Sequence, residues 1–152
     1  MAPPSVSIRP AGSTDFRAIA ALLGDLGYPA LPDEIPGRLE RLQLGNQAAA
    51  LVAVNESEAV GLLTVQMFSA LHDPALVAMV TALVVAESSR RRGAGRLLVA
   101  AAEAHARASG CARIIVTTAE HRTGAHAFYA RMGWEYTGRR FAKQLTVAPG
   151  AT

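Results

Sequence analysis

The residues best suited to chemistry gather in one stretch, Val80-Thr81-Ala82-Leu83-Val84-Val85-Ala86-Glu87-Ser88-Ser89-Arg90-Arg91-Arg92-Gly93-Ala94-Gly95-Arg96. An apolar, β-branched run passes through a polar turn into three arginines and a Gly-x-Gly, and an alanine-rich amphipathic segment follows, which is the pattern of a strand, a loop and a helix. A helix start leaves backbone N–H groups without intrahelical partners, and its dipole adds partial positive charge. Such a site attracts anions. Gly93 and Gly95 let a bulky polyanion approach the main chain, and the guanidinium groups of Arg90, Arg91, Arg92 and Arg96 supply fixed charge and forked donors suited to phosphate oxygens. The segment from Arg90 through Ala94 to Arg96 thus reads as a diphosphate cradle, although a glycine pair at a helix start also serves simply to ease packing. The Walker pattern is absent because no Gly-Lys-Ser/Thr follows, and the dinucleotide fingerprint fails because Arg96-Leu97-Leu98 brings no third glycine.

Length and composition frame this site. The chain has 152 residues, of which 51% are hydrophobic and 18% charged, enough for one domain with a substantial core and too apolar for disorder. A net charge of +3 suits an anionic ligand without identifying one. Cys111 is the only cysteine, so no intrachain disulfide or cysteine-based metal site is expected, and it reads as a packed residue at the start of a strand. With no signal peptide and no long apolar run, a cytoplasmic protein that neither enters nor binds a membrane is expected.

The elements that must position the cradle follow in chain order. Ser5 to Arg9 alternates as a short strand; Ser13 or Thr14 is placed to cap a helix with Ile19, Leu22, Leu23 and Leu26 on one face, closed by Gly27. Asp33 is placed to cap a second helix through Ile35, Leu39 and Leu42, which tolerates Pro36 in its first turn and ends at Gly45-Asn46. Ala48 to Val54 and Ala59 to Met67 form a hairpin, and a loop through His72 and Asp73 leads to the strand ending at Val85. The helix after the glycines presents Leu97, Ala101, Ala104 and Ala108 along one side and a Glu103–Arg107 pair on the other, with Gly110 as terminator. Ala112 to Thr118 is another strand; Gly124 to Met132 is a short helix with Ala125, Phe128, Tyr129 and Met132 inward; Trp134-Glu135-Tyr136 and Arg140 to Val147 form a last hairpin turning at Thr137-Gly138.

Arg90-x-x-Gly93-x-Gly95 after a buried strand resembles the acetyl-CoA-binding motif of the GNAT superfamily of N-acetyltransferases. Ala125-His126-Ala127-Phe128-Tyr129-Ala130-Arg131-Met132-Gly133-Trp134 is similar to that family's Ala-x-x-Phe-Tyr-x-x-x-Gly-Phe segment, with Trp134 in the phenylalanine place, and the order of elements matches from about Ser5 to Leu145. The resemblance implies one α+β (α/β/α) domain over residues 1–152, with a mixed, mostly antiparallel sheet of six to seven strands flanked by about four helices. It implies transfer of an acetyl group from acetyl-CoA to a primary amine of a small molecule or peptide, by direct attack in a ternary complex and without a metal. The backbone of Leu83, Val84 and Val85 then holds the pantetheine arm, with an N–H placed to stabilise the oxyanion; Ala125 and Phe128 flank the coenzyme; and Tyr129 returns a proton to the departing thiolate. Tyr129 also fits an aromatic staple beside Phe128, and Leu83 to Val85 also fit ordinary core.

The base departs from the family pattern. Many relatives carry a glutamate on the strand before the cradle, whereas this chain has Val80-Thr81-Ala82-Leu83. His72, Asp73, Glu120, His121 and His126 are the titratable residues left to relay a proton, unless the amine arrives already neutral. Asp25, Tyr28, Asp33 and Glu34, in the first two helices and their connector, are candidates for contact with a cationic acceptor. Relatives commonly dimerise, and no stretch here decides whether this chain forms a homodimer. Two rivals remain: a non-catalytic acyl-CoA-binding or sensing module, favoured by the missing glutamate, and a nucleic-acid-binding domain using Arg90 to Arg92 and Arg139-Arg140. The second is disfavoured by 5% aromatic content and the lack of a recognition element, so no nucleic-acid partner is expected.

Overall fold

The apolar runs pair into one sheet. The computed structural model describes residues 5–44, 47–118 and 122–146; the expected helix end at Gly45-Asn46, and Glu120 and His121, lie outside them. The chain falls into two compact units, Met1–Val116 and Thr117–Thr152.

The first unit holds five strands in the order of the chain: β1 (Ser7–Pro10), β2 (Ala49–Asn55), β3 (Glu58–Phe68), β4 (Leu76–Val85) and β5 (Cys111–Val116). All neighbours are antiparallel except β4 and β5, which run parallel. That exception follows from connectivity, since the chain between these two strands is a crossover through α3 (Ala94–Ala108). Helices α1 (Phe16–Leu26) and α2 (Ile35–Gln43) close one face, where Ile19, Ala20, Leu22 and Ile35 pack on Val52, Val54, Leu62 and Val84. On the other face, a Cβ on Gly61 would stand 3.1 Å from Leu98 Cδ1 and 3.2 Å from the Ala53 Cβ, so the glycine lets α3 lie close on β3. This two-faced mixed sheet is the expected α+β architecture.

The buried side of α3 differs from the periodic reading. Leu98, Val99, Ala102 and Ala106 are buried, whereas Leu97, Ala104 and Ala108 are exposed. Both stripes have helical spacing, and where most positions are alanine the pattern does not choose between them; packing against the sheet does. The Glu103–Arg107 pair forms on the outer side at 3.7 Å.

The helix starts also differ in detail. Ser13 and Thr14 lie in a 3-10 turn, Ser13–Asp15, with Gly12 at its head, and neither side chain caps α1. Asp15 closes the turn instead: its Oδ2 accepts the Gly12 N–H at 2.7 Å, and its two oxygens accept from Arg9 at 2.7 and 2.9 Å. A carboxylate engages both partners, which a hydroxyl cannot. Asp33 sits in the 3-10 turn Pro32–Glu34 and makes no capping bond.

Asp15 is 3% exposed, and the Arg9 hydrogen bonds hold its carboxyl below the usual carboxylate range, followed by the Gly12 bond and the Arg9 charge, against burial that acts the other way. Asp15→Asn is expected to cost about 2 kcal/mol of stability at neutral pH. Because the folded-state pKa is depressed, that contribution is complete above about pH 4 and disappears as pH falls through the folded value. Denaturant melts of wild type and variant should therefore differ at pH 7 and converge at low pH.

The second unit contains α4 (Thr123–Arg131), followed by Gly133 at φ +87. The expected closing hairpin does not form among the described residues: 132–146 contain no strand, so the sheet has five strands rather than six to seven. Gly138 does not adopt the positive φ that the tight hairpin turns require. Tyr136, Phe141 and Leu145 are exposed, so the segment lacks the apolar contact that a marginal two-stranded ribbon needs. No helix among the described residues is long and apolar enough to cross a membrane.

Candidate active site

Strand β4 changes partners halfway along. It pairs with β5 only from Leu76 to Val80, but with β3 as far as Val85. At the point of parting the register with β3 skips Thr81, a β-bulge that bends the strand and strengthens its local twist. From Thr81 to Val85 the outer edge of β4 has no strand beside it among the described residues. Main-chain groups that point outward along that edge, ahead of the Val85 carbonyl that Arg90 engages, are open to a ligand. Val84 is buried in the helix-covered core while Leu83 and Val85 are half-buried. The two readings of this segment therefore coexist, with side chains as core and backbone as edge.

The strand runs into a constrained turn. The Ala86 N–H donates to the Val60 carbonyl at 2.8 Å, a 3-10 turn spans Glu87–Ser89, and Arg90 Nε donates to the Val85 carbonyl at 3.1 Å. Arg91 and Gly93 then both take left-handed backbone, at φ +66 and +83. For Arg91 that conformation costs about 1 kcal/mol, the kind of strain that collects at functional turns. The first helical bond of α3 runs from the Leu97 N–H to the Gly93 carbonyl at 3.0 Å. The N–H groups of Ala94, Gly95 and Arg96 precede it and have no carbonyl one turn back. Arg91, Arg92 and Arg96 are exposed around this opening, while Arg90 is turned back onto the strand end by its Nε bond. Donors and positive charge thus converge at the mouth of α3, as an anion site requires.

In the second unit, Tyr129 on α4 is 8% exposed, with Phe128 edge-on at 5.3 Å between ring centroids and Trp134 tilted at 5.1 Å. Trp134 is folded back by a bond from its N–H to the Tyr129 carbonyl at 3.0 Å, made possible by the left-handed Gly133. Ala125 and Phe128 are half-buried on the same helix and His126 is exposed. Burial pushes the Tyr129 phenol up to about 12, so it keeps its proton at any working pH. The aromatic staple and the available O–H donor occur in the same residue.

The candidate bases separate. Asp73 pairs with Arg113, at 3.1 Å from Nε and 3.0 Å from the terminal nitrogen, which fixes the turn before β4 and engages the carboxylate. His72 is exposed in that turn. Among the acceptor candidates, Asp25, Tyr28 and Asp33 are exposed, and Glu34 pairs with Arg38 at 2.7 Å. Cys111 opens β5, half-buried, and burial raises its thiol pKa, consistent with a packed residue. The described residues contain no group of three His, Cys, Asp or Glu side chains that could hold a metal.

One feature of the site escaped the sequence reading: Thr64 and Thr81 bring their hydroxyl oxygens to 2.6 Å. A polar residue interrupting the apolar run from Leu76 to Val85 was the available signal, but its partner 17 positions earlier depends on register.

The description "Acetyltransferase (GNAT) family" belongs to the family model that matches residues 16–134. An aminoalkylphosphonate N-acetyltransferase of Salmonella typhimurium is 29% identical over 147 residues, covering 93% of each chain. Among solved structures, a transcriptional regulator from Bacillus halodurans matches with a TM-score of 0.85 at 24% identity, over 93% of this chain and 100% of that one. An aminoglycoside N-acetyltransferase in complex with CoA matches with a TM-score of 0.82 at 19% identity, over 96% and 98% of the two chains. These structures share the fold, and the family match spans both the glycine-opened helix start and the Phe-Tyr helix. The chain belongs to the GNAT family of acetyltransferases.

Proposed function

We propose that this chain is a cytoplasmic N-acetyltransferase, one domain over residues 1–152, that moves the acetyl group of acetyl-CoA to the primary amine of a small molecule or peptide by direct attack in a ternary complex. The observation that carries the reading is the open edge of β4 leading, through the single turn from Ala86 to Gly93, into the donor-lined start of α3. An edge that forms main-chain hydrogen bonds suits an amide-bearing pantetheine arm, and the helix mouth with Arg91, Arg92 and Arg96 suits a pyrophosphate. A fold neighbour solved with CoA supports the choice of coenzyme. The aminoalkylphosphonate acetyltransferase among the relatives supports a small amine as acceptor, and the net charge of +3 suits one with an anionic substituent.

In this reading the amine nitrogen attacks the thioester carbonyl, the carbon–sulfur bond breaks, and the nitrogen loses one proton as the thiolate gains one. A backbone N–H at Leu83 to Val85 faces the developing oxyanion. Tyr129 supplies an O–H donor to the sulfur. Burial holds the phenol at about 12, so it stays protonated and able to donate as the thiolate leaves, and the proton released by nitrogen restores the balance.

An acceptor screen with acetyl-CoA tests the reading, beginning with aminoalkylphosphonates and aminoglycosides and extending to polyamines and peptides, scored by free thiol and by the mass of the acetylated amine. Thiol release that requires a primary amine is the expected result. Tight coenzyme binding without turnover on any amine would instead favour the non-catalytic acyl-CoA module, whose support is the absence of a carboxylate on β4.

A further inference from the structure

A row of residues crosses the sheet where β4 parts from β5, and it holds two hydroxyl groups that the phosphate cradle does not use. Thr64 lies two residues beyond Leu62 with no bulge between them, so its side chain stands on the face covered by α1 and α2. Leu62 and Val84 are buried in that cluster, whereas Thr64 is half-buried and Thr81 exposed. The cover given by the helices stops at this row. Thr81, the bulged residue, places its Oγ1 at 2.6 Å from the Thr64 Oγ1 and at 3.3 Å from the Thr64 carbonyl oxygen.

The hydrogen inventory decides what such a couple binds. Either hydroxyl is placed to donate across the 2.6 Å contact, and the 3.3 Å approach of the Thr81 oxygen to the Thr64 carbonyl is long for an O–H donor. Whichever way that bond runs, it uses one hydrogen and one lone pair, so three lone pairs and one hydrogen remain. Acceptor capacity therefore exceeds donor capacity at the couple. It suits a group that brings N–H donors. Neither β4 nor the stretch of β3 from Ala59 to Phe68 adds a charged side chain to the row.

Its position matches the chemistry as well. Thr81 precedes Leu83 by two residues, about 7 Å along the strand. A nitrogen held about 2.9 Å from a hydroxyl oxygen there stands beside the stretch of strand whose outer edge would hold the thioester.

We propose that the Thr64–Thr81 couple receives the amino group of the acceptor, accepting its N–H bonds and turning the nitrogen lone pair toward the thioester. This rests on the acetyltransferase reading above. The couple takes no proton; it selects and orients the amine.

The test uses the full chain, acetyl-CoA, and whichever amine of the screen reacts best. Thr81→Val and Thr64→Val keep the shape and the strand preference while removing one hydroxyl each. Each is expected to lower kcat/KM for the amine about tenfold, with a raised KM for that substrate. Acetyl-CoA affinity by calorimetry and the midpoint of thermal unfolding should stay as in wild type, and Thr81→Ser should recover most of the loss. If a valine variant does not fold, the corresponding alanine replaces it in the same measurements. Unchanged kcat/KM in folded variants, or a loss shared equally with acetyl-CoA affinity, would overturn the proposal while leaving the acetyltransferase reading intact. A wild-type chain that acetylates no amine of the screen would overturn both.

Discussion

Gly93→Val should lose acetyl-CoA binding by at least about a hundredfold while the rest of the fold survives. Gly93 stands at φ +83 at the head of α3, a conformation that costs a β-branched residue more than the usual 1–2 kcal/mol of left-handed strain. The strain is relieved by rotating the turn, and rotation moves the N–H groups of Ala94, Gly95 and Arg96 out of convergence. A Cβ at Gly93 would meet nothing within 4 Å, so the loss is conformational and not a clash. Gly93→Asn separates the two causes, since asparagine tolerates the left-handed region, and it should recover most of the affinity. Calorimetry with acetyl-CoA reads the effect and circular dichroism verifies the fold. A folded valine variant with wild-type affinity would mean that the mouth of α3 does not hold the coenzyme.

Tyr129→Phe carries the second large effect: turnover should fall about a hundredfold, with acetyl-CoA affinity changed by no more than about twofold. The substitution removes one oxygen and leaves the ring between Phe128 and Trp134, at centroid distances of 5.3 and 5.1 Å, so packing survives. Loss of turnover alone identifies a group that acts on the reacting atoms. Equal losses in turnover and affinity would identify a staple. The pH profile adds an independent check, because raising pH through a phenol's pKa removes the proton it donates. With Tyr129 pushed up to about 12, wild-type kcat should show no falling limb from this residue below about pH 11. A falling limb near pH 9 that vanishes in Tyr129→Phe would overturn this assignment of the proton.

Local patterns made much of this legible. The β-branched run ending at Val85, the Arg90 to Gly95 turn and the alanine-rich segment after it are contiguous, and each is governed by short-range propensity and backbone conformation. The helix bearing Phe128 and Tyr129 was equally plain from its spacing and its closing Gly133. Legibility declined where choices depended on partners distant in sequence. Asp15 closes the turn before α1, and its carboxylate also engages Arg9 on β1, a coupling that no capping preference contains.

By itself, the sequence determined strands β1 to β5 and helices α1 to α4, the placement of a glycine-opened helix start directly after a buried strand, and the family to which that combination is similar. Those properties reside in residues within a few positions of one another. Tertiary structure alone decided which side of α3 meets the sheet, where β4 leaves β5, that residues 134–146 add no strand, and that Thr64 and Thr81 share a hydrogen bond. Each of these depends on register and close packing between segments far apart in the chain, and a shift of one residue would reverse the face that a strand presents.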